Sequence, residues 1–300
     1  MNLLQVEESM AAGGQAVIEG VLMRAKKTAI AVRQPDRKIV TREYDKPMLI
    51  KRFPVLGTPF IRGVCVLWDS MYMGIVALSW SAEVSSQDTG EELKKKDIVG
   101  AILFALALAI GLFVLAPFLV AQLIPAIKED PVSFALFEGI IRVAILVLYI
   151  WAVSRSKDVK RVFEYHGAEH KTVHAYEAGV ELTVNEVRKY SRIHPRCGTS
   201  FLFITMIAAI VVFIIVSWIW QLGFWQKLLV RILFIPVIAS ISYEFMRFTA
   251  KHLDNPLFRA LAWPGMLLQR LTTAEPDDDQ LEVAIVSLKS AVGALETEVK

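Results

Sequence analysis

Long apolar runs constrain the fold of this chain more than any other feature of its sequence. They cover residues 97–127, 134–153, 201–220 and 227–250. Runs of about 18 or more apolar residues are typical of helices that cross a membrane. Hydrophobic residues make up 55% of the chain, and the mean hydropathy of +0.47 is too high for an ordinary soluble domain. We therefore predict a mainly α, polytopic helical membrane protein with about four spans, whose first partner is the lipid bilayer.

A further apolar segment, residues 61–80, is ambiguous because it carries Arg62 and Asp69. Basic residues flank it on both sides, with lysines at positions 94–96 beyond its C-terminal end. Positively charged flanks favour the cytoplasmic side of a membrane, so a single crossing is disfavoured. We predict a re-entrant or interfacial helix for this segment.

Two polar segments are rich in basic residues, and their charge predicts the topology. Residues 24–52 contain ten Lys and Arg against three acidic residues, and residues 155–199 contain nine Lys and Arg. The positive-inside rule assigns both segments to the cytoplasm. We expect a multi-pass membrane protein with both termini cytoplasmic. The basic residues form no helical stripe with interleaved aromatics, so no specific nucleic-acid binding is predicted.

Two regions outside the apolar runs have their own periodicity. Residues 16–23, 28–33 and 38–44 are rich in β-branched residues and predict a small three-stranded sheet, with a hairpin turn at 34–37. Near the C-terminus, apolar residues recur at steps of three and four and predict an amphipathic helix with a narrow apolar face. They are Leu281, Ile285, Leu288, Val292 and Leu295. Such a helix either docks on its own chain or pairs with another copy, which would make a homo-oligomer.

These segments together predict the organisation of the chain. The predicted units are a flexible tail (1–12), a small cytoplasmic β subdomain (13–52), a re-entrant or interfacial helix with a linker (53–97), two membrane spans (98–154), a cytoplasmic His-rich helical segment (155–199), two further spans (200–250), an interfacial stretch (251–275) and an amphipathic C-terminal helix (276–300). Within the His-rich segment, Thr183 and Glu186 form a capping-box pattern that predicts a helix over 183–192.

The His-rich segment contains the pattern most suggestive of chemistry. His166, Glu169 and His170 spell H-x-x-E-H, the order of one class of zinc peptidase. Two imidazoles one helical turn apart can share one metal ion, and a neighbouring carboxylate can act as the general base. His174 and Glu177 continue the same helical stripe and are further candidate ligands. The structural alternative, without a metal, is a polar helix whose histidines hydrogen-bond to neighbouring loops.

Helix geometry limits how these residues can cooperate. His166 and His174 are about 12 Å apart along a straight helix, so they cannot share one ion, and Glu169 points about 100° away from His170. A site must therefore borrow a ligand from another element. His194 and Cys197, in the turn before the third run, are the candidates, since neutral histidine and thiolate both bind zinc. Alternatively, Cys197 is a nucleophile favoured by a helix N-terminus, or simply a reduced structural cysteine.

Charged residues within the apolar runs form a second group of candidates, because charge at that depth is costly and faces protein or water rather than lipid. Glu138 and Arg142 are one turn apart, and Arg231 is expected at the same depth, so the three could cluster between helices. Glu244 and Arg247 are expected near the depth of the histidines. Glu244 is a distant candidate metal ligand, although an ion pair with Arg247 or Lys251 is favoured.

Four motifs resemble those of a known family. They read GGQAVIEGVLMR at 13–24, FIRGV at 60–64, YHGAEHK at 165–171 and HPRCGTS at 194–200. The chain resembles the YqhQ-like family of uncharacterised bacterial integral membrane proteins, often labelled predicted metal-dependent enzymes, from about residue 13 to about residue 270. The resemblance implies a protein of the bacterial inner membrane with a metal site at these histidines, and it supplies no substrate. The helix after residue 275 lies outside the resemblance.

Two functions follow as hypotheses. The first is a membrane-embedded, zinc-dependent hydrolase with its site at the cytoplasmic face and Glu169 as general base. The second is a non-catalytic, oligomeric membrane scaffold or membrane-protein biogenesis factor, in which the His and Cys residues are a structural latch and the partner is the translocation machinery or the ribosome. A transport pathway lined by Glu138, Arg142 and Arg231 is a third alternative.

Overall fold

The computed structural model describes residues 12–44, 49–86, 95–128, 130–220 and 222–294. Within them, four helices are long and apolar enough to cross a membrane by length and composition. They are Ile61–Ser85, Lys96–Gln122, Pro131–Val153 and Gly198–Ile219, and the bent pair Phe224–Leu233 and Ile235–Lys251 makes a fifth if it is one span. The prediction of a mainly α, polytopic membrane-type fold is confirmed.

The longer helices are numbered here in chain order. They are α1 (Ile61–Ser85), α2 (Lys95–Ile110), α3 (Ala116–Gln122), α4 (Pro131–Val153), α5 (Lys157–Glu177), α6 (Gly198–Ile219), α7 (Phe224–Leu233), α8 (Ile235–Lys251), α9 (Pro256–Thr272) and α10 (Asp278–Val292). Single helical turns occur at Leu49–Arg52, Pro54–Gly57, Pro125–Lys128 and Val184–Val187, and a π-helical turn, Gly111–Leu115, joins α2 to α3. The predicted helix over 183–192 is therefore one turn, although Thr183 caps it as predicted.

The N-terminal sheet has four strands, not the predicted three. They are β1 (Gly13–Val17), β2 (Gly20–Arg24), β3 (Thr28–Arg33) and β4 (Ile39–Tyr44), in antiparallel order β1-β2-β3-β4. The run 16–23 splits because the chain turns at Glu19, whose positive φ of 52° reverses its direction. Two glycines outside that run, at 13 and 14, extend the first strand. The predicted turn at 34–37 is confirmed by the Gln34 N–H bond to the Lys38 carbonyl at 2.8 Å.

Helices cover both faces of the sheet. Successive side chains of a strand point to opposite faces, so Val21 and Met23 contact one layer and Leu22 contacts the other. The first layer is α10, through Leu281, Val283, Ala284, Leu288 and Ala291. The second is the C-terminal half of α1, through Met73, Ala77 and Val84. Both faces of β2 are therefore buried.

The C-terminal helix α10 docks on its own chain. Asp277 caps it in a capping box with Gln280, and Gly293 ends it with a positive φ of 77°. Its buried surface is much wider than the predicted narrow stripe, because sheet strands and α5 both pack against it. Leu295, the last residue of the predicted stripe, lies outside the described residues, as does nearly all of the predicted tail.

The apolar helices α4, α6, α8 and α9 pack together beside this covered sheet. The fourth apolar run is not the single predicted helix, because α7 and α8 meet at a bend of 47°. Pro236 lies in the first turn of α8, where its missing N–H and its ring disfavour continuation of α7. In the first run, the helix continues past Pro117 to Gln122, and the irregularity is the π-helical turn before that proline.

Candidate metal centre

Helix α5 presents its histidines to the interior. Tyr165, Ala168 and Val173 are buried in the cluster formed with the sheet and α10. The helix is held closely by the linker between α9 and α10: the Ala274 N–H donates to the Phe163 carbonyl at 2.8 Å. Gly167 makes this approach feasible, because an added Cβ would overlap the Ala274 carbonyl oxygen. The glycine of the H-x-x-E-H motif therefore allows the linker to pack closely on α5.

The linker also orients His166. Its Nδ1 lies 2.9 Å from the Thr272 carbonyl oxygen, which can only accept a hydrogen bond, so Nδ1 carries the proton. Nε2 is then the atom with a free lone pair, and it lies 3.3 Å from Cys197 Sγ. A backbone carbonyl that fixes the tautomer in this way is the usual arrangement behind a metal-binding histidine.

His170 is oriented by the same device from another segment. Its Nδ1 donates to the Arg192 carbonyl at 2.6 Å, so its Nε2 is also available as a ligand. The Glu169 carboxylate lies 3.4 Å from that Nε2. Both side chains are buried, with exposed fractions of 3% and 6% for His170 and Glu169.

Cys197 reaches the same point from the start of α6. It is the N-cap residue of that helix, and its sulfur accepts a hydrogen bond from the Thr199 N–H at 3.4 Å. The ligand atoms of His166, His170 and Cys197 all lie within 4.8 Å of one another. Tetrahedral zinc with usual bond lengths separates its N and S ligands by about 3.6 Å. The three side chains therefore need only small movements to share one ion.

His174, Glu177 and His194 lie beside this group rather than in it. His174 Nε2 donates to the Ile193 carbonyl at 2.9 Å. His194 accepts from the Arg196 N–H at Nδ1, and its Nε2 lies 3.4 Å from Glu177. Both ring nitrogens of His194 are thus engaged. Burial lowers the pKa of His174 and of His194 below the ordinary value, which keeps both rings neutral at pH 7.

A cavity of about 350 Å³ opens beside the three ligands. Its walls are Ala12, Gly13, Gly14, Gln15, Leu22, Arg24, Val66, Ser70, Met73, His166, Glu169, His170, Val173, His194, Arg196, Cys197 and Gly198. These come from β1, β2, α1, α5 and the turn before α6. Helix geometry predicted that Glu169 would point away from His170. Its side chain nevertheless turns into this cavity, where it lies against Gly14.

Sequence reasoning missed the contribution of β1 and α1 to the cavity. An added Cβ at Gly14 would lie 2.6 Å from the Leu22 carbonyl oxygen and 2.8 Å from Glu169 Cγ, so the strand approaches the carboxylate without room for a side chain. Paired glycines at the start of a strand were the available signal, since they permit such an approach. No sequence pattern marked Ser70 of α1 as a residue of the cavity wall.

The charged residues within the apolar helices lie in two other places. Glu138 contacts both Arg142 and Arg231, with Arg231 Nε donating at 2.8 Å, and all three are buried. The predicted clustering of the three is therefore observed. Arg142 also donates to the Phe113 carbonyl at 2.8 Å, within the π-helical turn. A π-helical turn displaces carbonyls from the regular α-helical pattern, which suits this contact.

Glu244 pairs with Arg62 of α1, with Nε to Oε1 at 2.7 Å. This ion pair replaces the predicted one with Arg247 or Lys251, because α1 and α8 pack side by side. Glu244 does not belong to the group formed by His166, His170 and Cys197.

The chain combines apolar helices of membrane-spanning length with a helix-covered sheet, and a His–Cys group lies where they join. These features define a helical membrane-type protein with a candidate metal centre. Residues 58–294 match the family described as "Protein of unknown function (DUF1385)". The chain is 34% identical over 291 residues to "Uncharacterized protein YqhQ" of Bacillus subtilis (strain 168), which covers 92% of this chain and 90% of that relative. The chain belongs to the DUF1385 family, which confirms the YqhQ-like resemblance. No solved structure matches it.

Proposed function

We propose that this protein is a zinc-dependent hydrolase built at a membrane surface. One observation carries the proposal: His166, His170 and Cys197 bring their ligand atoms within 4.8 Å of one another at the wall of a cavity. Zinc favours nitrogen and sulfur ligands, and catalytic zinc sites typically use three protein ligands and keep a fourth position open. The adjacent cavity supplies room for a substrate at that position.

The chain's own residues provide the remaining chemistry. The Thr272 and Arg192 carbonyls hold the two imidazoles with Nε2 toward the cavity. Zinc bound there would supply Lewis acidity toward water and toward the scissile bond. Glu169, buried beside His170, would take the proton of the attacking water and return it to the leaving group. Val66 and Met73 form an apolar part of the cavity wall.

The location of the site follows from the charge of its surroundings. Segment 155–199, which contains α5 and Cys197, carries nine Lys and Arg. The positive-inside rule supports a cytoplasmic position for this segment in a bacterial inner membrane. The sheet and α10 pack on α5, which supports placing both ends of the described chain on the same side as the site.

A specific observation also favours the second candidate, a non-catalytic membrane scaffold or biogenesis factor. The same imidazoles join separate segments, because His166 bonds to Thr272, His170 to Arg192 and His174 to Ile193. In that case the cluster is a latch, a bound metal would be structural, and the partners would be further copies, the translocation machinery or the ribosome.

The first experiment is metal content by mass spectrometry on protein purified without affinity metals, because a catalytic zinc site requires the metal and a latch does not. We expect about one zinc per chain in the wild type, lost in His166→Ala, His170→Ala and Cys197→Ala. His174→Ala is the matched control, since it removes an imidazole of the same helix outside the ligand group. Monodisperse wild type without metal, or loss of zinc from the control as well, would overturn the assignment.

A further inference from the structure

Helix α1 has two faces of different character, and one of them is a wall of the cavity. Val66, Ser70 and Met73 follow one another at steps of four and three residues, so they lie on one side of the helix. All three line the cavity beside the metal ligands. On the same side, Ala77 and Val84 continue beneath the sheet.

The opposite face of α1 is apolar and exposed. Its large exposed residues recur at helical spacing, and they are Val64, Trp68, Met71, Ile75 and Leu78. Trp68 is 65% exposed, which is costly in water for so large an apolar ring. Such an exposed apolar stripe is typical of a helix face in contact with lipid, and tryptophan and tyrosine are enriched where the lipid meets water. Tyr72, 50% exposed, lies next to it.

The neighbours of α1 agree with that position. Its first turns pack on α8 of the bent apolar pair, where an added Cβ at Gly63 would lie 3.1 Å from Ser240 Cα. Its last turns pack on the sheet. The exposed stripe therefore runs from the apolar bundle to the polar part of the protein. The stripe and the cavity wall are opposite faces of this one helix.

We infer that the cavity takes the polar head of a membrane amphiphile, a molecule with an acyl chain that stays in the lipid while its head lies between α1 and the ligands. A volume of about 350 Å³ suits a head group but not an acyl chain as well. As a substrate assignment this rests on the proposed hydrolase. Hydrolysis would break an ester or amide bond of the head: the acyl carbon gains hydroxyl from water, and the leaving alcohol or amine gains the proton passed through Glu169.

Photo-crosslinking tests the inference without requiring turnover. The purified protein is placed in bilayer discs of phosphatidylethanolamine and phosphatidylglycerol that include phosphatidylglycerol with a diazirine next to its ester carbonyl. Labelled residues are then mapped by mass spectrometry. We expect label on the cavity face, at Val66, Ser70 or Met73, in addition to the exposed stripe.

Blocking variants make the result specific. Ser70→Trp should abolish label on the cavity face and leave label on the stripe unchanged. Ser79→Trp, the same substitution at a position that does not line the cavity, should leave the cavity label unchanged. Val66→Trp serves if Ser70→Trp does not fold. Label confined to the stripe in wild type, or cavity label that survives the block, overturns the inference. Zinc measured on the same samples separates the two proposals: zinc without cavity label removes only the amphiphile, and cavity label without zinc removes only the hydrolase.

Discussion

Gly167→Ala tests whether the linker between α9 and α10 tunes the proposed zinc site. The added methyl would overlap the Ala274 carbonyl, so α5 and the linker must separate. The Thr272 carbonyl, two residues earlier, accepts from His166 Nδ1 at 2.9 Å. A hydrogen bond is lost near about 3.6 Å, so a shift of about 0.7 Å is enough to release the imidazole.

The magnitudes differ for stability and for metal binding. Overpacking costs about 1–3 kcal/mol, and the higher helix propensity of alanine offsets about 1 kcal/mol of it. The net loss in unfolding free energy should therefore be at most about 2 kcal/mol. Loss of the carbonyl that orients a ligand should weaken zinc binding about 10–100-fold.

Zinc affinity is measured by competition with a chelator of known affinity, and stability by thermal unfolding in detergent. Gly100→Ala is the matched control, because an added Cβ there meets nothing within 4 Å. It should bind zinc as the wild type does. Gly167→Ala protein with wild-type zinc affinity would refute the reasoning that the linker orients His166.

Three further predictions concern the site, the buried ion cluster and the sheet. In a hydrolase, Glu169→Gln should keep zinc and monodispersity but abolish hydrolysis, and His170→Ala should lose zinc but stay assembled. In a latch, Glu169→Gln is tolerated and His170→Ala loses assembly, so the elution of His170→Ala protein in size-exclusion chromatography, with metal analysis, distinguishes the two. Glu138→Gln should lower the unfolding free energy by about 3–5 kcal/mol, because two buried guanidinium groups lose their counter-ion; an unchanged melting temperature contradicts this. Ser287→Ala should lower the unfolding free energy by about 1 kcal/mol, since its hydroxyl donates to the Val21 carbonyl at 2.9 Å. Hydrogen exchange of β2 should be faster in the variant, and an unaltered exchange rate would contradict this.

Several features of this protein follow from local sequence. The apolar runs of residues 134–153 and 201–220 correspond to α4 and α6 within a few residues, because a helix that long needs only continuous apolar side chains. The four-residue spacing of His166 and His170 puts both imidazoles on one face of the helix, because that placement depends only on the helical repeat. Glu138 and Arg142 likewise pair one turn apart.

Other features depend on contacts between distant segments. Cys197 and His194 had equal standing as a third ligand in the sequence. Packing of the turn before α6 brings Cys197 Sγ to 3.3 Å from His166 Nε2, while both nitrogens of His194 are engaged elsewhere. The partner of Glu244 was likewise predicted on its own helix, as Arg247 or Lys251, and is Arg62 on α1.

The sequence by itself determined the membrane-type class, most helices and the pair of histidines, because these depend on hydrophobicity and on a backbone repeat that acts within a few residues. The tertiary structure decided that Cys197 joins the candidate ligand group, and it decided the cavity and the docking of α10. Their energies come from burial and hydrogen bonds between residues far apart in the chain, such as Gly14 against Glu169 and Thr272 against His166. No local pattern encodes which distant segments will meet.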